Sequence, residues 1–66
     1  MKARVNGELR ELADGATVAS VVALLGAPSS GVAVAVDGEV VPRAAWQRTS
    51  VPDGGTVEVL TAVQGG

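Results

Sequence analysis

The sequence predicts an α+β fold in two layers, with a single helix covering one face of a mixed sheet of about five strands. Three observations predict it. Two short alternating segments are each folded back by a tight-turn dipeptide, Asn6-Gly7 and Asp37-Gly38. Between these hairpins Val18, Val21, Val22 and Leu25 recur at helical spacing and stop at Gly26. A last alternating run, Thr56 to Ala62, follows the turn-forming Pro52-Asp53-Gly54-Gly55.

Each element has its own reason. Met1 to Asn6 sets Met1, Ala3 and Val5 on one face and Lys2, Arg4 and Asn6 on the other. Asn6-Gly7 suits a two-residue turn because both positions accept a positive φ. The return strand, Glu8 to Leu12, then has Leu9 opposite Arg4 and Glu11 opposite Lys2. The second pair is an expected cross-strand ion pair, worth a few tenths to about 1 kcal/mol. Ala13-Asp14-Gly15 ends the hairpin. Thr17 is the expected N-cap, its hydroxyl taking a free backbone N–H of the first helical turn. Valine is a mediocre helix former, so this helix depends on packing its stripe. Gly26 falls where a left-handed residue follows a helix, and Ala27 to Gly31 is loop by composition.

Val32, Val34 and Val36 alternate with Ala33 and Ala35, as in an inner strand whose valines face a core. Asp37-Gly38 turns the chain into Glu39-Val40-Val41, in a register that puts Val41 opposite Val34. Pro42 ends that strand because it has no N–H for the ladder. Residues 42–50 read as irregular, with one short helical turn at Arg43 to Trp46. In the last strand Val57 and Val59 point one way and Glu58 and Leu60 the other.

The order ββαββ plus a final strand lets the last strand lie parallel to the first in the middle of the sheet, the β-grasp arrangement. One domain, residues 1–66, is expected, with 63–66 as an extended functional tail. The echo between Val5-Asn6-Gly7-Glu8-Leu9 and Val36-Asp37-Gly38-Glu39-Val40 reads as shared turn chemistry, not as a repeat. A chain of 66 residues buries only roughly 60% of its unfolded surface. With no cysteine to staple it, stability rests on an apolar core, which a 47% hydrophobic composition permits.

Composition also excludes function classes. Net charge is −2, and the basic residues Lys2, Arg4, Arg10, Arg43 and Arg48 are scattered. A nucleic-acid partner, which calls for a basic stripe, is not expected. No charged leader with a long apolar run opens the chain, and no run of about 20 apolar residues occurs. No membrane partner and a cytoplasmic location are expected. There is no Cys or His for nucleophilic or general-base chemistry. The seven carboxylates are dispersed over turns and strand faces and read as solvated surface. No catalytic residue of its own, no metal site and no bound cofactor are expected.

That leaves the end of the chain. The strand expected in the centre of the sheet runs into Ala62-Val63-Gln64-Gly65-Gly66. Four or five extended residues reach roughly 13–17 Å. Two terminal glycines without side chains can thread a narrow channel and adopt backbone angles closed to other residues. A free α-carboxylate is ionised at neutral pH and unreactive until converted to a better electrophile. An acyl-adenylate, formed by attack on the α-phosphate of ATP held by a partner enzyme, is the obvious route. The unhindered Gly66 carbonyl can then be attacked by a sulfur donor. The chain has no thiol to attack its own activated end, and one lysine, Lys2, to be conjugated to itself.

The chain resembles the sulfur carrier proteins of thiamine biosynthesis, a ubiquitin-like family, across essentially its full length. The matching stretches are Val5-Asn6-Gly7-Glu8, Thr17 to Val22 into Leu25-Gly26, and Gly31 to Val36. The most specific are Glu39-Val40-Val41-Pro42-Arg43 followed by Trp46, and the close Thr61-Ala62-Val63-Gln64-Gly65-Gly66. Many relatives carry Asn where Asp37 stands, and Gly-Asp where this chain has Gly54-Gly55; the second difference bears on a local turn, not on the tail. The resemblance implies a cycle. An adenylating enzyme of the ubiquitin-activating type would adenylate Gly66 with ATP. Sulfur from a cysteine desulfurase relay would make the thiocarboxylate. Thiazole synthase would accept that sulfur into the thiazole ring.

Two same-fold alternatives stay open at this point: a carrier for molybdopterin synthesis, whose members are usually longer and richer in phenylalanine, and a ubiquitin-like modifier that forms isopeptide bonds. A non-catalytic binding module with an incidental Gly-Gly is a third. Among other residues, Trp46 reads as a lid packed over the second hairpin or as a partner contact, and Arg43 as a solvated loop residue or a contact for an acidic partner. Leu9 and Leu60 fall on the sheet face away from the helix, beside Ala33, Ala35 and Ala62, and are candidates for a partner-docking surface.

Overall fold

Both two-residue turns form as their residues dictate, with positive φ at Asn6 (51°), Gly7 (84°), Asp37 (50°) and Gly38 (86°). The computed structural model describes residues 1–28 and 30–61; Ser29 and residues 62–66, with Ala62 of the expected last strand, lie outside the described residues. The elements are β1 (Lys2–Val5), β2 (Glu8–Glu11), α1 (Val18–Leu24), β3 (Val32–Val36), β4 (Glu39–Val41), a 3₁₀ helix (Arg43–Arg48) and β5 (Thr56–Thr61). The five strands form one sheet in the order β2-β1-β5-β3-β4. β5 is parallel to β1 and antiparallel to β3. This is the α+β, β-grasp architecture read from the sequence. The registers agree as well: Arg4 faces Leu9, Lys2 faces Glu11 and Val34 faces Val41.

A helix of seven residues is too short to be stable on its own propensity. Two things hold α1. Thr17 Oγ1 accepts the Ser20 N–H at 3.2 Å, and Ser20 Oγ accepts the Thr17 N–H at 2.9 Å, a reciprocal cap that satisfies two groups at the N-terminus. Val18, Val21 and Val22 then bury against Ala3 and Val5 of β1, Val34 of β3, and Val57 and Val59 of β5. Gly26 follows the helix with φ 69°, as expected for the residue beyond a C-cap. Main-chain bonds from Val18 N–H to Thr49 O (2.9 Å) and from Val51 N–H to Ala16 O (2.9 Å) tie the start of the helix to the segment before β5.

Trp46 is buried, and its indole N–H donates to Val41 O at 2.9 Å. It therefore packs as expected, and its polar edge closes the end of β4. The helical turn around it is longer than the sequence suggests, running to Arg48. Side chains account for the extension: Thr49 Oγ1 donates to Ala45 O (2.7 Å) and the Arg48 guanidinium to Ala44 O (3.3 Å), so carbonyls left over at its end find partners.

The Lys2–Glu11 ion pair does not form although the register brings the two residues opposite each other. The ion pairs among the described residues are the Met1 ammonium with Asp14 (3.3 Å) and Arg10 with Glu8 (3.5 Å). In water an exposed pair gains little over separate hydration. Three of the carboxylates expected as surface and turn residues have structural partners: Asp14 at the N-terminus, Asp53 accepting the Lys2 N–H (3.0 Å), and Asp37 accepting the Thr56 N–H (2.9 Å). Among the described residues no helix is long and apolar enough to cross a membrane.

Candidate functional site

The site is built on β5, the strand whose sequence continues into Ala62-Val63-Gln64-Gly65-Gly66. The five tail residues lie outside the described residues. What the structure describes is the base from which they start. β5 is central, with β1 on one side and β3 on the other. Its entry is a tight turn closed by the Gly55 N–H on Pro52 O at 2.9 Å, with Gly54 at φ 78°. A side chain at Gly55 would place its Cβ 2.9 Å from Pro52 O and 2.7 Å from Pro52 Cγ. Glycine at 55 is therefore a steric requirement of this turn.

Both hairpin turns reach onto β5 through the side chain of their first residue. Asp37 Oδ1 accepts the Thr56 N–H (2.9 Å) while the Asp37 N–H donates to Thr56 O (2.8 Å). Asn6 Oδ1 accepts the Val59 N–H (2.8 Å), and Asn6 Nδ2 donates to Val59 O (3.2 Å). β5 is thus held near its start by one turn and near its end by the other. From the sequence alone both residues are accounted for by their tolerance of positive φ. The echo between the two turns was the signal available, since glycine in both positions would have served the backbone alone.

Of the large exposed apolar residues among those described, Leu9, Val40 and Leu60 lie on the sheet face away from α1, and Leu24 lies on α1 itself. Leu60 is 67% exposed and sits opposite Ala33; Val40 is 76% exposed and sits opposite Ala35. These four residues share the outer surface of β5, β3 and β4. Val40 was not singled out from the sequence because a three-residue strand shows no clear alternation. Leu9 is also exposed, at 59%, but lies on the edge strand β2 beside Arg4, which in turn pairs with Thr56. Leu60 is four residues further along β5 than Thr56, about 13 Å at the strand rise. The structure therefore joins Leu60 to Ala33, Ala35 and Val40, and sets Leu9 apart behind Arg4. Arg43 is exposed at the start of the 3₁₀ helix, beside an open groove lined by Ala19, Val22, Ala23, Ala44 and Trp46. Among the described residues no three His, Cys, Asp or Glu side chains gather as a metal site would need.

A family model described as the ThiS family matches residues 3–66. The chain belongs to the ThiS family. The resemblance carried by Val-Pro-Arg, Trp46 and the Gly-Gly end is to these sulfur carriers of thiamine biosynthesis. A crystal structure of a thiamine biosynthesis protein (ThiS) from Geobacter metallireducens is 36% identical, with each chain wholly covered and a TM-score of 0.77. A solution structure of a thiamine biosynthesis protein from the same organism is 37% identical, covering 100% of this chain and 88% of that one, with a TM-score of 0.76. A thiazole synthase of Paramagnetospirillum magneticum is 35% identical over 66 residues, and the ThiS-like chain spans 20% of that protein's length.

Proposed function

We propose that this ThiS-family chain carries sulfur on its terminal carboxylate and donates it to a thiazole synthase for the thiazole ring of thiamine. The observation that supports the reading is the placement of β5: the most central strand, anchored at both ends, is the one whose sequence continues into Gly65-Gly66. A rigid base with a side-chain-free end suits insertion into another protein's catalytic cleft. No Cys or His in the chain competes for the chemistry.

The steps follow from the carboxylate. An oxygen of Gly66 attacks the α-phosphorus of ATP bound on an adenylating enzyme of the ubiquitin-activating type, and pyrophosphate leaves. A sulfur nucleophile attacks the acyl carbon, and AMP leaves. When the donor is a persulfide from a cysteine desulfurase relay, a thiol then cleaves the sulfur–sulfur bond, leaving the thiocarboxylate and a disulfide. The protein acts as co-substrate and the ATP belongs to its partner. The match of the whole chain to a fifth of a thiazole synthase supports that enzyme as the acceptor and favours this reading over a molybdopterin carrier.

Leu60, Val40, Ala33 and Ala35 form the docking face in this reading, with Ala62 continuing it in sequence and Arg43 a separate polar contact. Leu60→Arg weakens binding to the adenylating enzyme by about tenfold or more and leaves the melting temperature unchanged, because Leu60 is exposed. Intact mass spectrometry after incubation with ATP, adenylating enzyme and a sulfur source tests the chemistry. The expected product has one oxygen replaced by sulfur, and deleting Gly66 abolishes it. An unmodified full-length chain, or isopeptide attachment to lysines in its place, overturns the proposal.

A further inference from the structure

The parallel ladder between β1 and β5 advances two residues at a time: Arg4 N–H to Gly55 O at 2.9 Å, then Asn6 N–H to Val57 O at 2.9 Å. The next rung belongs to Val59, whose N–H needs an acceptor and whose carbonyl needs a donor from the β1 side. No main chain is there to supply them, because the chain leaves the sheet at Asn6-Gly7. The Asn6 side chain fills both places at once, accepting from Val59 N–H at 2.8 Å and donating to Val59 O at 3.2 Å. Turn geometry does not call for this. Glycine meets a positive φ at least as well as asparagine. An aspartate there would accept the N–H but have no donor for the carbonyl.

We infer that Asn6 is a positioning residue for the carrier end: its amide extends the β1 ladder by one rung and fixes the last part of β5, from which residues 62–66 continue. The inference rests on the sulfur-carrier reading and adds to it the group that presents the tail. Without the amide, Val59 keeps its neighbour Val34 on β3 but loses everything on the β1 side. The end of β5 then spends part of its time away from the sheet. The fraction of chains whose β5 end is held on the sheet falls, and the apparent affinity for the activating enzyme falls with it. The bond-making steps occur at Gly66 inside the partner's site and are untouched. The signature is a raised KM for the carrier with kcat preserved.

The twin turn supplies the control. Asp37→Gly removes the acceptor of the Thr56 N–H, a comparable loss at the opposite end of the same strand. Steady-state thiocarboxylate formation is measured against carrier concentration for the wild type, Asn6→Gly, Asn6→Asp and Asp37→Gly. Amide hydrogen exchange is followed at Val59 and Thr56. Asn6→Gly raises KM about three- to tenfold, with kcat preserved, and speeds Val59 exchange by a similar factor. Asn6→Asp, which keeps an acceptor for the Val59 N–H but sets a carboxylate oxygen against Val59 O, raises KM several-fold as well. Asp37→Gly speeds Thr56 exchange and leaves KM as it was. Equal KM shifts in Asn6→Gly and Asp37→Gly overturn the inference, since both then report general destabilisation. So does an Asn6→Gly carrier with wild-type KM and wild-type Val59 exchange. A wild-type chain that is never activated overturns the carrier reading itself, an outcome distinct from an activated wild type beside an unaffected variant.

Discussion

The first hairpin turns through Asn6-Gly7 and the second through Asp37-Gly38, on nearly the same backbone: φ is 51° and 84° in one, 50° and 86° in the other. Each first residue sends its side chain to β5, but to different ends and with different chemistry. Asp37 meets Thr56 where the antiparallel ladder with β3 begins, and its own N–H supplies the donor that a carboxylate lacks. Asn6 meets Val59 beyond the point where β1 has left, and its amide must supply donor and acceptor alone. A turn dipeptide chosen for positive φ leaves one side chain free to serve a neighbouring strand. What that strand still lacks decides whether an acid suffices or an amide is needed. The second hairpin also has an anchor the first does not, the Trp46 indole on Val41 O.

The largest effect should come from that extra anchor. Trp46→Ala removes a buried indole and the Val41 bond, destabilising the protein by about 3–5 kcal/mol; denaturant melts should show it, and hydrogen exchange should rise in β4 more than in β2. Equal loosening of both hairpins would break the comparison. Next comes the steric turn that feeds β5. Gly55→Ala drives a Cβ onto Pro52 O and should lower stability by about 1–3 kcal/mol, with no selective effect on either hairpin.

The reciprocal exchange of the two turn residues sharpens the comparison most. Asn6→Asp leaves the Val59 carbonyl without its donor and sets a carboxylate against it, a loss of about 1–2 kcal/mol. Asp37→Asn keeps an oxygen for the Thr56 N–H and should stay within about 0.5 kcal/mol of wild type. Equal losses would mean that the two side chains play the same part. The smallest effect is expected at the first hairpin's opposed charges: Glu11→Gln should leave the melting temperature unchanged, because Glu11 makes no ion pair with Lys2.

Much of this molecule is legible in local pattern. Asn-Gly and Asp-Gly dictate hairpins and their registers because a side-chain period of two permits no half step. The valine stripe from Val18 and the glycine at 26 delimit α1. Val57 and Val59 mark the inner face of β5. The Gly-Gly end was legible as the candidate for chemistry because nothing else in the chain offers any. The misses share a cause. Extension of the 3₁₀ helix to Arg48, exposure of Val40, separation of Leu9 from Leu60, and the missing Lys2–Glu11 pair depend on which side chains meet across strands or solvent, and no sequence spacing encodes that.

The sequence by itself determined the class of fold and the two turn types, and it singled out Gly65-Gly66 as the candidate site, since each follows from φ preference, hydrophobic period or the absence of a side chain. Only the tertiary structure decided that the two turns converge on one strand and that an amide stands in for missing main chain at Val59. The reason is physical: residues 6 and 59 become neighbours only when β5 inserts between β1 and β3, and a hydrogen bond forms between groups that meet in space, however far apart they lie along the chain.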